Sequence, residues 1–267
     1  MHAAILALAL VASTTALAPS QDTPEVDQTD PVAVYNALHA AGDHDAMVTY
    51  WADHEARVLY TIDADLEGSL ALWEGARDAE TGEVTLDEEA QAEIALLHER
   101  ALFGARAAAE TFDRPIFHDY VASFISWSPE DKLAFRGGQA AFSDAVTALG
   151  TQDFEAALVA GERCTSLAEP LGDWWGASMG LGASGAARLE LGDAAGALAD
   201  LSRARLLDQA LGLSRSEKRN LDAMLRACVE LGRTHRAIAC CEALIALTTG
   251  DEAAAYATRL ARLTAAE

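Results

Sequence analysis

Basic residues, aromatics and prolines are all scarce in this 267-residue chain, and each scarcity excludes something. Lys and Arg number 19 against 42 Asp and Glu, a net charge of −23, so the clustered cations that a phosphate backbone demands are missing. Nucleic acid is therefore not an expected partner, and an anionic membrane surface is disfavoured for the same reason. The imbalance is uneven: residues 1–150 hold 26 acids against 7 bases, and residues 151–267 hold 16 against 12. A solvated acidic surface accounts for this, as does a surface that meets a basic partner. Aromatics make up only 6% of the chain, and six prolines leave long uninterrupted helical windows. β-Branched residues are sparse and no stretch alternates with period two, so no sheet is expected. The cysteines Cys164, Cys228, Cys240 and Cys241 contain no C-x-x-C pair, which removes the usual zinc and redox motifs. No cofactor and no metal site is expected.

What is present is alanine and helix punctuation. The hydrophobic fraction is 51%, much of it alanine, which favours closely packed helices over a bulky β core. The first 18 residues, MHAAILALALVASTTALA, have the short apolar run and Ala-x-Ala ending of a secretory signal peptide. That run is too short to span a bilayer, no lipid-attachment cysteine follows it, and no other stretch suits a membrane helix. Its n-region has no Lys or Arg, and Pro19 would follow the cut, so cleavage could shift to Ala16 or Ser20. An exported protein, periplasmic or secreted and without membrane insertion in its mature form, is the expectation. Residues 19–30 are polar and read as a linker. Helix starts follow: Asp30 before Pro31, a Thr85/Glu88 capping box, Ser128 before Pro129, and a Ser214/Glu217 capping box. The fold class is all-α, with ten or more helices.

The chain also repeats itself. Aligning Gln152, Gly192 and Gly232, 40 residues apart, superposes Ala157, Ala197 and Ala237, then Leu158, Leu198 and Ile238, then Leu167, Leu207 and Leu247. Each unit reads as helix, Gly-type turn, helix, and such a pair cannot bury its apolar face alone, so neighbours must stack. This pattern resembles the tetratricopeptide family in a longer form of about 40 residues. Gly185, Leu191, Gly192, Asp193, Ala197 and Ala204 carry the resemblance in the best unit. It covers about residues 129–265 and implies a right-handed α-solenoid over 128–267, closed by a cap helix from Asp251. Residues 31–127 form a helical N-terminal region, either degenerate repeats or a separate cap. The stretch around Gly42-Asp43 looks like one further helix–turn–helix.

Two enzyme-like motifs dissolve on inspection. Gly176-Ala-Ser178-Met-Gly180 matches a nucleophile elbow, but no strand precedes it and the one histidine beyond it is His235, in a repeat turn. Gly180-Leu-Gly182-Ala-Ser-Gly185 matches a dinucleotide fingerprint without the βαβ unit that would make it one. Helix packing through Gly176 and Gly180, four residues apart, explains both. Trp174 and Trp175 beside them suit packing between helices. The cluster of His39, Asp43, His44, Asp45 and His54 lacks metal-ligand spacing.

The expected function is a non-catalytic binding or scaffold protein. The competing expectations are an exported hydrolase using Ser178 and a self-assembling envelope structural protein. In the tetratricopeptide family, partner peptides usually lie against the first helix of each pair. The resemblance places Asp144, Met179, Glu190, Arg219, Asp222, Arg226 and Glu230 there. Arg219, Asp222 and Arg226 fall on one helical face, where the two arginines could clamp an acidic peptide or a C-terminal carboxylate. Cys228 and Cys241 fall on the two helices of the third pair, at family positions that pack together. A disulfide between them suits an oxidising compartment. Cys240 is the neighbouring alternative, and four buried free thiols remain an open reading.

Overall fold

The computed structural model describes residues 30–265. The expected signal peptide and residues 19–29 of the expected linker lie outside the described residues. Twelve α-helices make up the described chain, with one isolated bridge between Arg77 and Val84 and no strand. Five belong to the N-terminal region: α1 (Pro31–Ala41), α2 (His44–Ala52), α3 (Glu55–Gly75), α4 (Glu88–Phe112) and α5 (Ile116–Ser126). Seven follow in register: α6 (Pro129–Gly150), α7 (Phe154–Ala168), α8 (Trp174–Glu190), α9 (Ala194–Ala210), α10 (Ser214–Glu230), α11 (Thr234–Ala246) and α12 (Gly250–Thr264). Among the described residues no helix is long and apolar enough to cross a membrane.

One turn geometry joins the later helices. Gln152, Gly172, Gly192, Gly212 and Gly232 all take positive φ, between 63° and 82°, and they recur every 20 residues. After each, the next N–H reaches back five residues to a helical carbonyl: Asp153 to Ala148, Asp173 to Ala168, Asp193 to Arg188, Leu213 to Asp208 and Arg233 to Cys228. This closes the preceding helix as a Schellman motif. The same residue then opens the next helix, and Asp153, Asp173 and Asp193 cap it by accepting from the backbone N–H three positions on. The turns within pairs and between pairs are thus alike, and the 40-residue repeat is built from two 20-residue halves. Gly42 (φ 64°) and Asp43 make the same turn between α1 and α2, as the Gly-Asp pair there led us to expect.

Consecutive helices from α6 to α12 pack against one another, and the first helices also touch in series, α6 with α8 and α8 with α10. Small residues permit the approach. A Cβ on Gly180 would fall 2.7 Å from Thr165 N and 2.8 Å from Gly161 O, so α7 and α8 meet backbone to backbone. The glycines of the enzyme-like motifs are spent here.

Two helix starts differ from the sequence reading. Asp87, not Thr85, caps α4 through the Ala90 N–H. Ser214 is the first residue inside α10, which follows Leu213, and no side chain caps it. Leu213 is buried with Leu171, Leu211 and Phe135 in the same apolar cluster as Tyr35, Trp51, Trp73, Phe117, Tyr120 and Phe124. At this turn, burial against the N-terminal region outweighs a cap worth about 1 kcal/mol. That cluster seats α1–α5 on the turns between pairs. Polar ties reinforce it: Arg136 forks onto Glu74 and also reaches Glu67, Arg114 pairs with Glu55, and Trp127 donates to Leu171 O.

A groove along the first helices and the cavity at its end

Three successive first helices, α6, α8 and α10, line one concave groove of about 490 Å³, with Tyr60 of α3 at its margin. Its walls are mostly apolar: Phe142, Val146 and Leu149 from α6, Trp175, Met179 and Ala183 from α8, and Ala223 from α10. Tyr60 and Val146 are 57% and 50% exposed, an unusual share for large apolar side chains facing a concavity. The volume falls in the range of binding pockets. The groove carries little charge: Arg219 contributes from α10, where it donates to Ser216 Oγ (3.1 Å).

The other sequence-selected residues disperse. Arg226 pairs with Glu190 across from α8 at 2.8 Å, and Asp222 accepts from the Tyr256 hydroxyl of α12 at 3.1 Å. Arg226 and Asp222 thus each have a partner on a neighbouring helix, and of the three Arg219 lines the groove. Met179 lines the groove as expected, whereas Asp144 sits with Asp153, Glu155 and Arg163 between α6 and α7. Among the described residues, all four cysteines are free thiols. The thiol that hydrogen-bonds with Cys228 is Cys240, not Cys241. Adjacent helical residues point about 100° apart. On α11, Cys240 interacts with Cys228 of α10, while the charges acting on Cys241 are Arg259 of α12, Asp222 of α10 and Glu242. Burial pushes the Cys240 thiol up to about 12 and raises those of Cys228 and Cys241, so they stay protonated and unreactive.

Ser178 lies in mid-α8, 3% exposed, and its hydroxyl donates to Asp208 Oδ1. Asn220 donates to the other oxygen, Oδ2, at 2.7 Å. The hydroxyl thus meets a carboxylate on a regular helix, without the strained turn that presents a nucleophile. Burial pushes Asp208 up to about 6 against these two hydrogen bonds, with Glu217 adding to the rise and Arg219 opposing it. The network knits the groove floor. The histidines likewise have separate tasks: His44 pairs with Glu110, His54 stacks on Tyr50, and His39 meets the Phe103 edge.

At the Trp175–Met179 end, the groove adjoins a second space of about 110 Å³. Both residues line the two together. This cavity lies where α3 and α5 meet α6 and α8, and Asp63, Tyr120, Phe135, Gln139 and Asp173 form its walls. Tyr120 donates its hydroxyl to Asp63 Oδ1 at 2.7 Å, and Gly176 N–H donates to Asp173 Oδ1 at 2.8 Å. Burial pushes Asp63 up to about 7; the Tyr120 bond opposes this, Glu67 and Asp173 reinforce it, and Arg136 opposes it. Burial also raises Asp173 to about 6, against its own cap hydrogen bond. Asp193, the same cap one pair later, moves the other way: the Gly196 N–H holds it below the usual carboxylate range. What differs is the N-terminal region laid over Asp173 and the Arg188 guanidinium beside Asp193. Sequence reading missed this cavity. The Gly172-Asp173 pair, a copy of Gly192-Asp193, was the available signal for Asp173, but nothing local marked Asp63 or Tyr120.

No family model, curated protein or solved structure matches the chain.

Proposed function

We propose that the chain is an exported, non-catalytic binding or scaffold protein. Its stacked pairs form a right-handed α-solenoid of tetratricopeptide type, and the groove along the first helices holds a peptide segment of a partner protein. The observation that carries this reading is the groove itself, a continuous apolar surface from α6, α8 and α10 with Tyr60 and Val146 left exposed in it. Solvent-facing apolar area of this kind gains free energy when covered. The partner's main contribution is apolar, because Arg226 and Asp222 are already engaged within the chain. The acidic surface keeps the complex off nucleic acid.

Site-specific photo-crosslinking tests it. A benzophenone side chain at position 146 or 223 faces the groove, and one at 159 or 206 replaces an exposed apolar residue of a second helix. Capture of one discrete partner from 146 and 223, but not from 159 and 206, is the expected result. Equal labelling from all four positions, or none from the groove, would sink the reading. Fractionation tests export separately: a soluble chain beginning near residues 17–21 is expected, and recovery of the full chain from the cytosol would contradict it.

A further inference from the structure

The cavity at the groove's end holds charge without compensation. Asp63 and Asp173 sit on its walls, and Glu67 raises both. The cation acting on Asp63 is Arg136, but its Nε and Nη2 go to Glu74 and its Nη1 to Glu67 and Gln139. The guanidinium that acts on Asp63 is thus bonded to two other carboxylates. Gln139 is occupied too, because its amide donates to Glu67 and its oxygen accepts from Arg136. The oxygen ledger leaves a matching gap. Oδ1 of Asp63 and of Asp173 each has its donor, whereas among the described residues no donor meets Oδ2 of either. Asp173 is only 5% exposed, and its Oδ2 packs over the bare Cα of Gly176, another cavity residue. Neither Oδ2 is sealed from solvent, since among the described residues the buried side-chain oxygen without a partner is Asn36 Oδ1, so both stay open to a ligand entering the cavity.

We propose that the cavity receives a primary ammonium group, the end of a lysine side chain carried by the segment that occupies the groove. The lysine source rests on the groove reading above; the ammonium site does not. Three features select this chemistry. The free oxygens belong to two different carboxylates, so a guanidinium fork would find no complete carboxylate edge, whereas an ammonium with three rotatable donors can bridge them. The volume of about 110 Å³ compares with roughly 30 Å³ for one water, enough for an ammonium head and the adjoining methylenes. Trp175 and Met179 line both the cavity and the groove, an apolar and aromatic pair suited to an alkyl stem and its cation. A hard divalent ion would need six or more oxygens, which these walls do not supply.

Ionisation gives the site a pH response. With Asp63 at about 7 and Asp173 at about 6, the empty cavity takes up protons as the pH falls through that range, and ammonium binding must expel them. The groups facing the pair are Glu67 and Glu74 from α3, Tyr120 from α5, Arg136 from α6 and Cys164 from α7; burial holds the thiol up at about 11, so it stays neutral. Affinity should fall as pH drops from 8 to 5.

The test titrates the full chain at pH 8 with the N-acetyl, N′-methylamide derivatives of lysine, norleucine and arginine, following tryptophan fluorescence and heat. Asp63→Asn and Asp173→Asn are run alongside; asparagine keeps an acceptor for Tyr120 and for the Gly176 N–H. The lysine compound should bind at least tenfold tighter than norleucine and tighter than arginine, and each Asn variant should lose tenfold or more. Each variant should also raise the melting temperature of the free protein, because it removes a buried charge and spares a hydrogen bond. A merely structural pair would lower it. Equal binding of lysine and norleucine compounds by the wild-type protein overturns the proposal whatever the variants do, as does lysine binding unchanged in both variants. Lysine selectivity without groove crosslinks would retain the ammonium site and reject the groove, and groove crosslinks without lysine selectivity would do the reverse.

Discussion

The N-terminal region and the stacked pairs solve helix packing with opposite materials. In α1–α5 the buried core is built from large rings, Tyr35, Trp51, Trp73, Phe117, Tyr120 and Phe124. In α9–α11 it is built from alanine, leucine and three cysteines, with no buried aromatic among the described residues. Rings fill irregular space between helices of unequal length. Small side chains let equal helices stack closely, and the approach can then be repeated. The difference teaches where each region is vulnerable, one to truncation and the other to enlargement.

The largest effect should come from emptying a ring site. Trp51 is fully buried and its Nε1 donates to Gly104 O at 3.1 Å. Trp51→Ala should cost about 3–5 kcal/mol by leaving a cavity and removing the bond to Gly104 O. Denaturant titration would measure it. A cost below about 1 kcal/mol would mean that α1–α5 do not form the cooperative core described here.

Next in size is the reverse change in the stack. Gly180→Ala places a methyl against backbone atoms of Thr165 and Gly161, which cannot move independently of α7. Overpacking of this kind costs about 1–3 kcal/mol, although alanine is the better helix former. Gly150, near the end of α6, has nothing within 4 Å of an added Cβ. There the same replacement should stabilise by up to about 1 kcal/mol. The opposite signs are the check, and matching signs would deny that close backbone approach sets the glycine positions.

The same contrast decides what could be read from the sequence. A stack of like units repeats its turn chemistry, so Gly192-Asp193 and the alanines at 157, 197 and 237 announced helices, pairs and groove helices together. The half-period was also written, in Gly172-Asp173 and Gly212, but alignment on the 40-residue unit hid it. The N-terminal region offered caps and little else. Many of its side-chain contacts join residues 29 to 72 apart, as in His98 to Ser69, Tyr120 to Asp63 and Gln139 to Glu67, and no local pattern encodes such a distance. The cavity belongs to both regions at once, which is why one half of it, Asp173, left a trace and the other, Asp63, left none. Spacing alone left the partner of Cys228 open between Cys240 and Cys241, because one step along α11 rotates a side chain by about 100° and hairpin register does not resolve one step.

The smallest predicted effect bears on the turns, where the two regions compete. Residues 153, 173, 193, 213 and 233 occupy one turn position, and at 193 and 233 the backbone is nearly identical, with φ/ψ of −87°/67° and −88°/67°. Asp193 caps α9 through Gly196 N–H at 2.9 Å, whereas Arg233 leaves α11 uncapped and puts a cation at a helix N-terminus. Arg233→Asp should therefore accept from the Arg236 N–H and complement the helix dipole, stabilising by about 1 kcal/mol, or 2–4 °C in Tm. Arg233→Asn separates the two contributions, since it supplies the cap without the charge. At Leu213 the same turn is buried under the aromatic cluster. There Leu213→Asp, despite offering a cap, should destabilise by about 2 kcal/mol, because it trades a buried leucine for a carboxylate beneath apolar surface. Thermal melts of the two aspartate variants should move in opposite directions. A gain at both positions would show that local capping outweighs docking of the N-terminal region, and that α1–α5 sit only loosely on the stack.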